Sequence, residues 1–173
     1  MQQFQGKPIH LLISNAGLLK ADKLEALDFE SAIQQFEVNA LGPLRVVSAL
    51  QHALVPGAKV AIITSKMGSL AEATKGGMYG YRMSKAAANM AGRILAADLA
   101  QREVTVALLH PGAVITDMFH EYWSAVGQDG LAPSAHGYVS VEESVAGLLQ
   151  RIDELSMAST GNFWRQSGEE IPW

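Results

Sequence analysis

Residues 78–98, MYGYRMSKAAANMAGRILAAD, decide how the rest of the chain is read. Ala, Leu, Met, Arg and Lys dominate the stretch and no proline interrupts it, so it is predicted to form one long helix. Tyr81 and Lys85 stand near its start, four residues apart. On a helix that spacing puts both side chains on one face, one turn apart. An ammonium beside a phenol favours the phenolate, so the pair is expected to ease ionisation of Tyr81 from its ordinary pKa near ~10. Such a tyrosine can trade protons with a reacting group. A bare surface pair is the ordinary alternative, and its neighbours in the fold must decide between the two.

Upstream, Pro8 to Ile13 with Ser14 is an apolar run closed by Asn15-Ala16-Gly17, which reads as a buried strand and a turn. Asp28 can cap a long helix whose apolar stripe is Phe29, Ile33, Phe36, Ala40, Leu44, Val47 and Leu54. Pro43 lies within it and has no N–H to offer the Asn39 carbonyl, so a bend is expected there, with that carbonyl able to hold a water. Pro56-Gly57 is expected to end the helix. Lys59 to Thr64 reads as a second strand with Ser65 at its C-terminal end, and a loop bearing Gly68, Gly76 and Gly77 leads into the Tyr81 helix. Val104 to Leu109 reads as a third strand, closed by His110-Pro111-Gly112. Residues 113–139 look like a long loop of the kind that forms lids, its Met118, Phe119, Tyr122 and Trp123 pointing to an apolar substrate. Val141 to Leu155 reads as an amphipathic helix and Gly161 to Arg165 as a last strand.

Strands alternating with helices imply an α/β fold with a parallel sheet flanked by helices, in one domain over residues 1–173. In such sheets ligands sit beyond the carboxyl ends of the strands. Asn15, Ser65 and Pro111-Gly112 all fall on that rim, and the Tyr81 helix follows the second strand.

The 173 residues are 49% apolar and 17% charged, with a formal charge of −4. Basic residues do not cluster, which excludes a nucleic-acid surface. There is no cysteine, so disulfides and thiolate metal sites are excluded. The histidines, at 10, 52, 110, 120 and 136, lack metal-ligand spacing, and no metal is expected. No run reaches the roughly 20 apolar residues of a membrane span, and no secretory signal opens the chain. A cytoplasmic location is expected. Met67, Met78, Met83, Met90 and Met118 are expected to fill irregular core.

Taken together, Ser14-Asn15-Ala16-Gly17, Asn39, Ser65, Tyr81-x-x-x-Lys85, His110-Pro111-Gly112 and Thr116 resemble the short-chain dehydrogenase/reductase family in order and spacing. The closest likeness is to its C-factor (C-signal) branch, through residues 38–46, 64–70, 81–85 and the terminal Ile171-Pro172-Trp173. The resemblance runs from about Pro8 to Trp173. It implies a Rossmann-like fold and hydride transfer between a nicotinamide, NADP or NAD, and a carbonyl or alcohol. Tyr81 would be the general acid/base, Ser65 would hold the substrate oxygen, and Lys85 would lower the Tyr81 pKa and hold the nicotinamide ribose. The Asn39 carbonyl would anchor a relay water. Asn15, Ala16, Gly17, Pro111, Gly112 and Thr116 would line the cofactor, although a tight turn explains Asn15 to Gly17 equally well.

The family's TGxxxGxG turn has no counterpart in the sequence, and His10 and Ser14 replace the usual Asp and first Asn of its DLLINNAG motif. The sheet is therefore expected to be a truncated Rossmann-like one, with weakened dinucleotide binding and an open edge at the first strand. A homodimer is expected, through the two long helices or that edge. Two other functions fit parts of the sequence. One is a cofactor-independent serine hydrolase acting on esters with Ser65, Tyr81 and Lys85. The other is a non-enzymatic, C-signal-like signalling module.

Overall fold

The computed structural model describes residues 6–125 and 137–173. Strand β1 (Ile9–Ser14) is followed by helix α1 (Phe29–Phe36), a π-helical turn over Glu37–Leu41, and helix α2 (Gly42–Leu50). Asp28 caps α1 by accepting from the Ser31 N–H at 3.0 Å, as its side chain suits. The bend falls where Pro43 withholds an N–H, and the chain accommodates it by widening one turn to π geometry.

Strand β2 (Leu54–Ile63) then leads to the long helix α3 (Tyr79–Leu99), strand β3 (Thr105–His110) and strand β4 (Ala113–Val114). Helix α4 (Asp117–Ala125), strand β5 (Tyr138–Val139), helix α5 (Val141–Glu154) and strand β6 (Phe163–Arg165) complete the described residues. The main sheet is parallel in the order β1-β2-β3-β6, and β4 pairs with β5 in a small separate sheet.

The sheet is sandwiched between helices, a Rossmann-like α/β fold. On one face Val60, Ile62, Val106 and Leu108 pack against Val47 of α2 and Leu95, Ala96 and Leu99 of α3. On the other, Ala61, Ala107 and Leu109 meet Ile152 and Leu155 at the end of α5. Gly92 lets α3 lie this close, because a Cβ there would run into a Leu108 methyl.

Four expectations need correction. Phe29, Ile33, Phe36 and Leu44 point outward, Phe29 being 73% exposed, while the buried side of this helical run carries Gln35, Asn39, Ala40 and Val47. An apolar stripe marks a face that avoids water, and here a second such face points away from the sheet. Pro56 and Gly57 do not end a helix. They lie within β2, which begins at Leu54, beside a register irregularity in its pairing with β1. Residues 113–125 and 137–139 hold a strand pair and a helix rather than an open loop, and the remaining 126–136, with His136, lie outside the described residues. Met83, Met90 and Met118 are exposed rather than core fillers.

Candidate active site

Parallel pairing puts the C-terminal ends of β1, β2 and β3 on one rim, which carries Asn15, Ser65 and Pro111-Gly112. The rim is built by packing behind it. Gly68, in the short 3₁₀ turn after Ser65, lies against the α3 backbone, and a Cβ there would come 2.6 Å from the Lys85 carbonyl carbon. Asn89, one turn beyond Lys85, ties the same loop down. Its Oδ1 accepts from the Thr64 hydroxyl at 2.7 Å, and its Nδ2 donates to the Gly68 carbonyl at 3.3 Å.

Helix α3 starts abruptly. Met78, its N-cap, sits in the left-handed region at φ 59° and offers no capping oxygen. Asp22, from the loop after β1, supplies the cap instead, accepting from Tyr79 N–H at 2.6 Å and Gly80 N–H at 3.0 Å. A carboxylate also suits the positive end of the helix dipole. Gly80 meanwhile allows α1 to approach, since a Cβ there would meet Ala32 and Gln35.

On this frame Ser65, Tyr81 and Lys85 are brought together, all buried. The Ser65 hydroxyl is close enough to the Tyr81 phenol to lower its pKa, and it accepts the Met67 N–H at 3.2 Å. The Lys85 ammonium lies 5.8 Å from the Tyr81 ring centre, donates to the Ile63 carbonyl at 3.1 Å, and is only 3% exposed. Asn39 is buried on the facing helical run. Its Oδ1 accepts from Leu18 N–H at 2.7 Å, and its Nδ2 donates to the Leu18 carbonyl and to Ser84 Oγ at 2.8 and 2.9 Å. A Cβ on Gly17 would touch both Asn39 Oδ1 and Lys85 Nζ at 3.5 Å, so Gly17, Asn39 and Lys85 share one corner.

The electrostatics differ from the sequence-based expectation. Burial pushes the Tyr81 phenol above its ordinary value, and the Ser65 hydroxyl offsets only part of that. Desolvation dominates because the phenol sits away from water, with Ser65 and Lys85 buried beside it. The same burial lowers Lys85 to about 8, which leaves it mostly protonated at neutral pH. His110, at the end of β3, falls to about 3 through burial and the nearby charges of Arg165, Lys66 and Lys85.

The remaining expected residues are placed unevenly. Asn15 and Ala16 are exposed on the rim, Gly112 turns the chain after β3 at φ 87°, and Thr116 accepts weakly from Phe119 N–H at the start of α4. The residues that sequence reasoning missed are structural partners of the site: Asp22, Gly68, Ser84 and Asn89. Ser84 and Asn89 do leave a trace, because they extend the polar stripe of Tyr81 and Lys85 along a helix face that should otherwise be apolar.

A parallel sheet with a Ser–Tyr–Lys group at its carboxyl rim defines a known class, and the chain matches the model of the short chain dehydrogenase family over residues 1–127. It belongs to the short-chain dehydrogenase/reductase family. Over 169 residues it is 40% identical to 1-hydroxy-2-glutathionyl-2-methyl-3-butene dehydrogenase of Rhodococcus sp. (strain AD45), spanning 98% of this chain and 70% of that protein. It is 43% identical to C-signal of Myxococcus xanthus, spanning 96% of this chain and 93% of that protein. Among solved structures it resembles the NADPH-bound carbonyl reductase from chicken fatty liver, with TM-score 0.86 and 27% identity over 99% of this chain and 69% of that one. A Pseudomonas aeruginosa carbonyl reductase in complex with NADP aligns with TM-score 0.77 and 32% identity over 99% and 70% of the two chains.

Proposed function

We propose that the chain is a nicotinamide-dependent oxidoreductase of a small carbonyl or alcohol, working as one domain equivalent to the C-terminal part of the family fold. The observation that carries this reading is the burial of Ser65, Tyr81 and Lys85 together at the carboxyl rim of the sheet, with the Lys85 ammonium 5.8 Å from the Tyr81 ring centre.

A nicotinamide end fits the rim. Gly17 leaves open the space beside Lys85 Nζ and Asn39 Oδ1, and Asn15, Ala16, Pro111 and Gly112, which follow strands ending on the same rim, with Thr116 beyond them, would line the cofactor. Bound there, NADP or NAD supplies or accepts the hydride. No Gly-rich turn among the described residues reaches a pyrophosphate, so binding through this stretch alone is weak.

In reduction, the Ser65 hydroxyl holds the carbonyl oxygen and Tyr81 gives it a proton as negative charge develops there. A raised phenol pKa suits that direction, because it keeps the acid protonated. Lys85 stays fixed by the Ile63 carbonyl, where it favours the phenolate left after transfer and can hold a ribose hydroxyl. The Asn39 side chain secures the Leu18 loop to α3, and its main-chain carbonyl, which Pro43 cannot engage, is the anchor for a relay water.

The test is Tyr81→Phe, which removes the phenolic hydroxyl and leaves the ring. NADPH-dependent carbonyl reduction should fall by about 100- to 10,000-fold with the fold unchanged. Wild-type rates in Tyr81→Phe would remove the reading. The C-signal match, which spans nearly all of that protein, favours a second reading as a signalling module. That reading gains if Tyr81→Phe matches wild type in every catalytic assay while a signalling response persists.

We further propose a homodimer through the outward apolar faces of α1 and α3, which expose Phe29, Ile33, Met83, Met90 and Ile94 on two helices already packed together. The open edge of β1 is the alternative surface.

A further inference from the structure

We infer that the substrate carries an anionic group, most simply a carboxylate, and that Arg82, Lys75 and Lys23 receive it in a cleft beside Tyr81. This rests on the oxidoreductase reading for the reacting end of the molecule and adds the chemistry of its other end. The cleft is about 360 Å³ and is lined by these three cations together with Asp22, Met78 and Tyr122, among others. It adjoins the proposed chemistry, because Met78 is buried against Tyr81 in one apolar cluster and Tyr122 packs on that cluster.

Its charge is one-sided. Asp22, the acid in the lining, has both carboxylate oxygens engaged by the N–H groups of Tyr79 and Gly80, so its single negative charge is committed to the start of α3 and is outnumbered by the three cations. The cations are not neutralised. Among the described residues, ion pairs involve Arg45, Arg151 and Arg165, and none involves Lys23, Lys75 or Arg82. Arg82 is half-buried, and its Nε donates to the Gly77 carbonyl at 3.2 Å. That bond fixes the guanidinium plane and leaves its two terminal nitrogens without a partner among the described residues. A planar pair of donors matches a carboxylate. Lys23 and Lys75 are exposed and add a positive field to a concave site, in a chain whose net charge is −4.

The cofactor's own phosphates are a poor explanation. None of the residues proposed to line the cofactor borders this cleft. The anion therefore arrives on the substrate side of Tyr81, with Met78 and Tyr122 touching the apolar body between the carbonyl and the charge.

The experiment compares 4-oxo-4-phenylbutanoate with its primary amide, which keeps the ketone and the ring and loses only the charge. Binding of each to the full chain is measured by calorimetry at low salt without nucleotide, so cofactor affinity does not enter. The acid should bind at least about tenfold more tightly than the amide, with the preference shrinking as salt is added. Lys75→Glu and Arg82→Gln should each erode that preference, Lys75→Glu doing so at an exposed position with no hydrogen bond to lose. Tyr81→Phe should retain it. Equal binding of acid and amide, no binding of either at millimolar concentration, or an intact preference in Lys75→Glu/Arg82→Gln would overturn the inference. Acid preference without NADPH-dependent reduction would leave the anion site standing and sink the oxidoreductase reading. Reduction of neutral ketones with no acid preference would do the reverse.

Discussion

Lys85 shows how function and stability oppose each other at a single residue. Moving its pKa from 10.5 to about 8 means that the buried ammonium costs the fold ~3 kcal/mol at neutral pH. Between pH 8 and 10.5 the unfolded chain binds the extra proton and the folded one does not, so stability contributed here rises with pH. Lys85→Met should therefore raise the melting temperature at pH 7, with a gain that fades as pH climbs from 8 towards 10.5, and should abolish reduction. Calorimetric melts across that range check it; a variant less stable than wild type at pH 7 would contradict it. His110 works at the acid end. With a folded value of about 3 against 6.5 unfolded, protons bind the unfolded chain preferentially, and stability is lost as pH falls from 6.5 towards 3. His110→Gln should flatten that acid slope in pH-dependent denaturant melts. For catalysis, reductive turnover should hold through neutrality and decline above about pH 8, where Lys85 loses its charge.

At the scale of elements, the site is held by contacts that α3 makes along one face. Gly68 is the most sensitive of these. Gly68→Ala would drive a methyl into the Lys85 carbonyl, so it should destabilise the fold by about 1–3 kcal/mol and displace Lys85. Equal stability and activity in Gly68→Ala would show that the loop yields freely.

The legibility of these elements in the sequence follows from how locally each is specified. β2 and β3 were readable because parallel strands buried on both faces are continuous apolar runs, as in Val60 to Ile63, whereas β1, which reads as buried, has Leu11 and Ile13 exposed at the sheet's edge. α3 was readable from composition, and Asp28 from its capping chemistry. The orientation of α1 was not, because Phe29 and Ile33 report avoidance of water without saying which surface provides it, and the buried Gln35 and Asn39 look like solvent-facing residues until their long-range partners are known. Asp22 was invisible for the same reason, since it caps a helix 57 residues away. Ser65, Tyr81 and Lys85 were found because the motif is local, but the sign of the Tyr81 shift depends on burial that only the assembled fold creates.

For the whole molecule, two of the exposed apolar areas among the described residues bear on assembly. α1 and α3 expose Phe29, Ile33, Met90 and Ile94 on the outside of the helical layer. β1 ends the four-stranded sheet, and its Leu11 and Ile13, each 43% exposed, share a face with Ala61 beside the α5 layer. Unpaired strand edges of this kind invite pairing with another chain. If the helical face is the dimer interface, Phe29→Glu combined with Met90→Glu should yield a folded monomer by sedimentation, whereas an unchanged dimer would shift the interface to β1. No helix among the described residues is long and apolar enough to cross a membrane.

The proton-transfer role of Tyr81 and the hydride chemistry it would serve are tested together by isotope transfer. Wild-type protein is incubated with a ketone and NADPH in which both hydrogens at the nicotinamide C4 position are deuterium, and the alcohol formed is analysed by mass spectrometry. The account predicts deuterium at the carbinol carbon with wild type and little alcohol with Tyr81→Phe. Label-free product, no alcohol from saturating NADPH, or equal yields from the two proteins would contradict it.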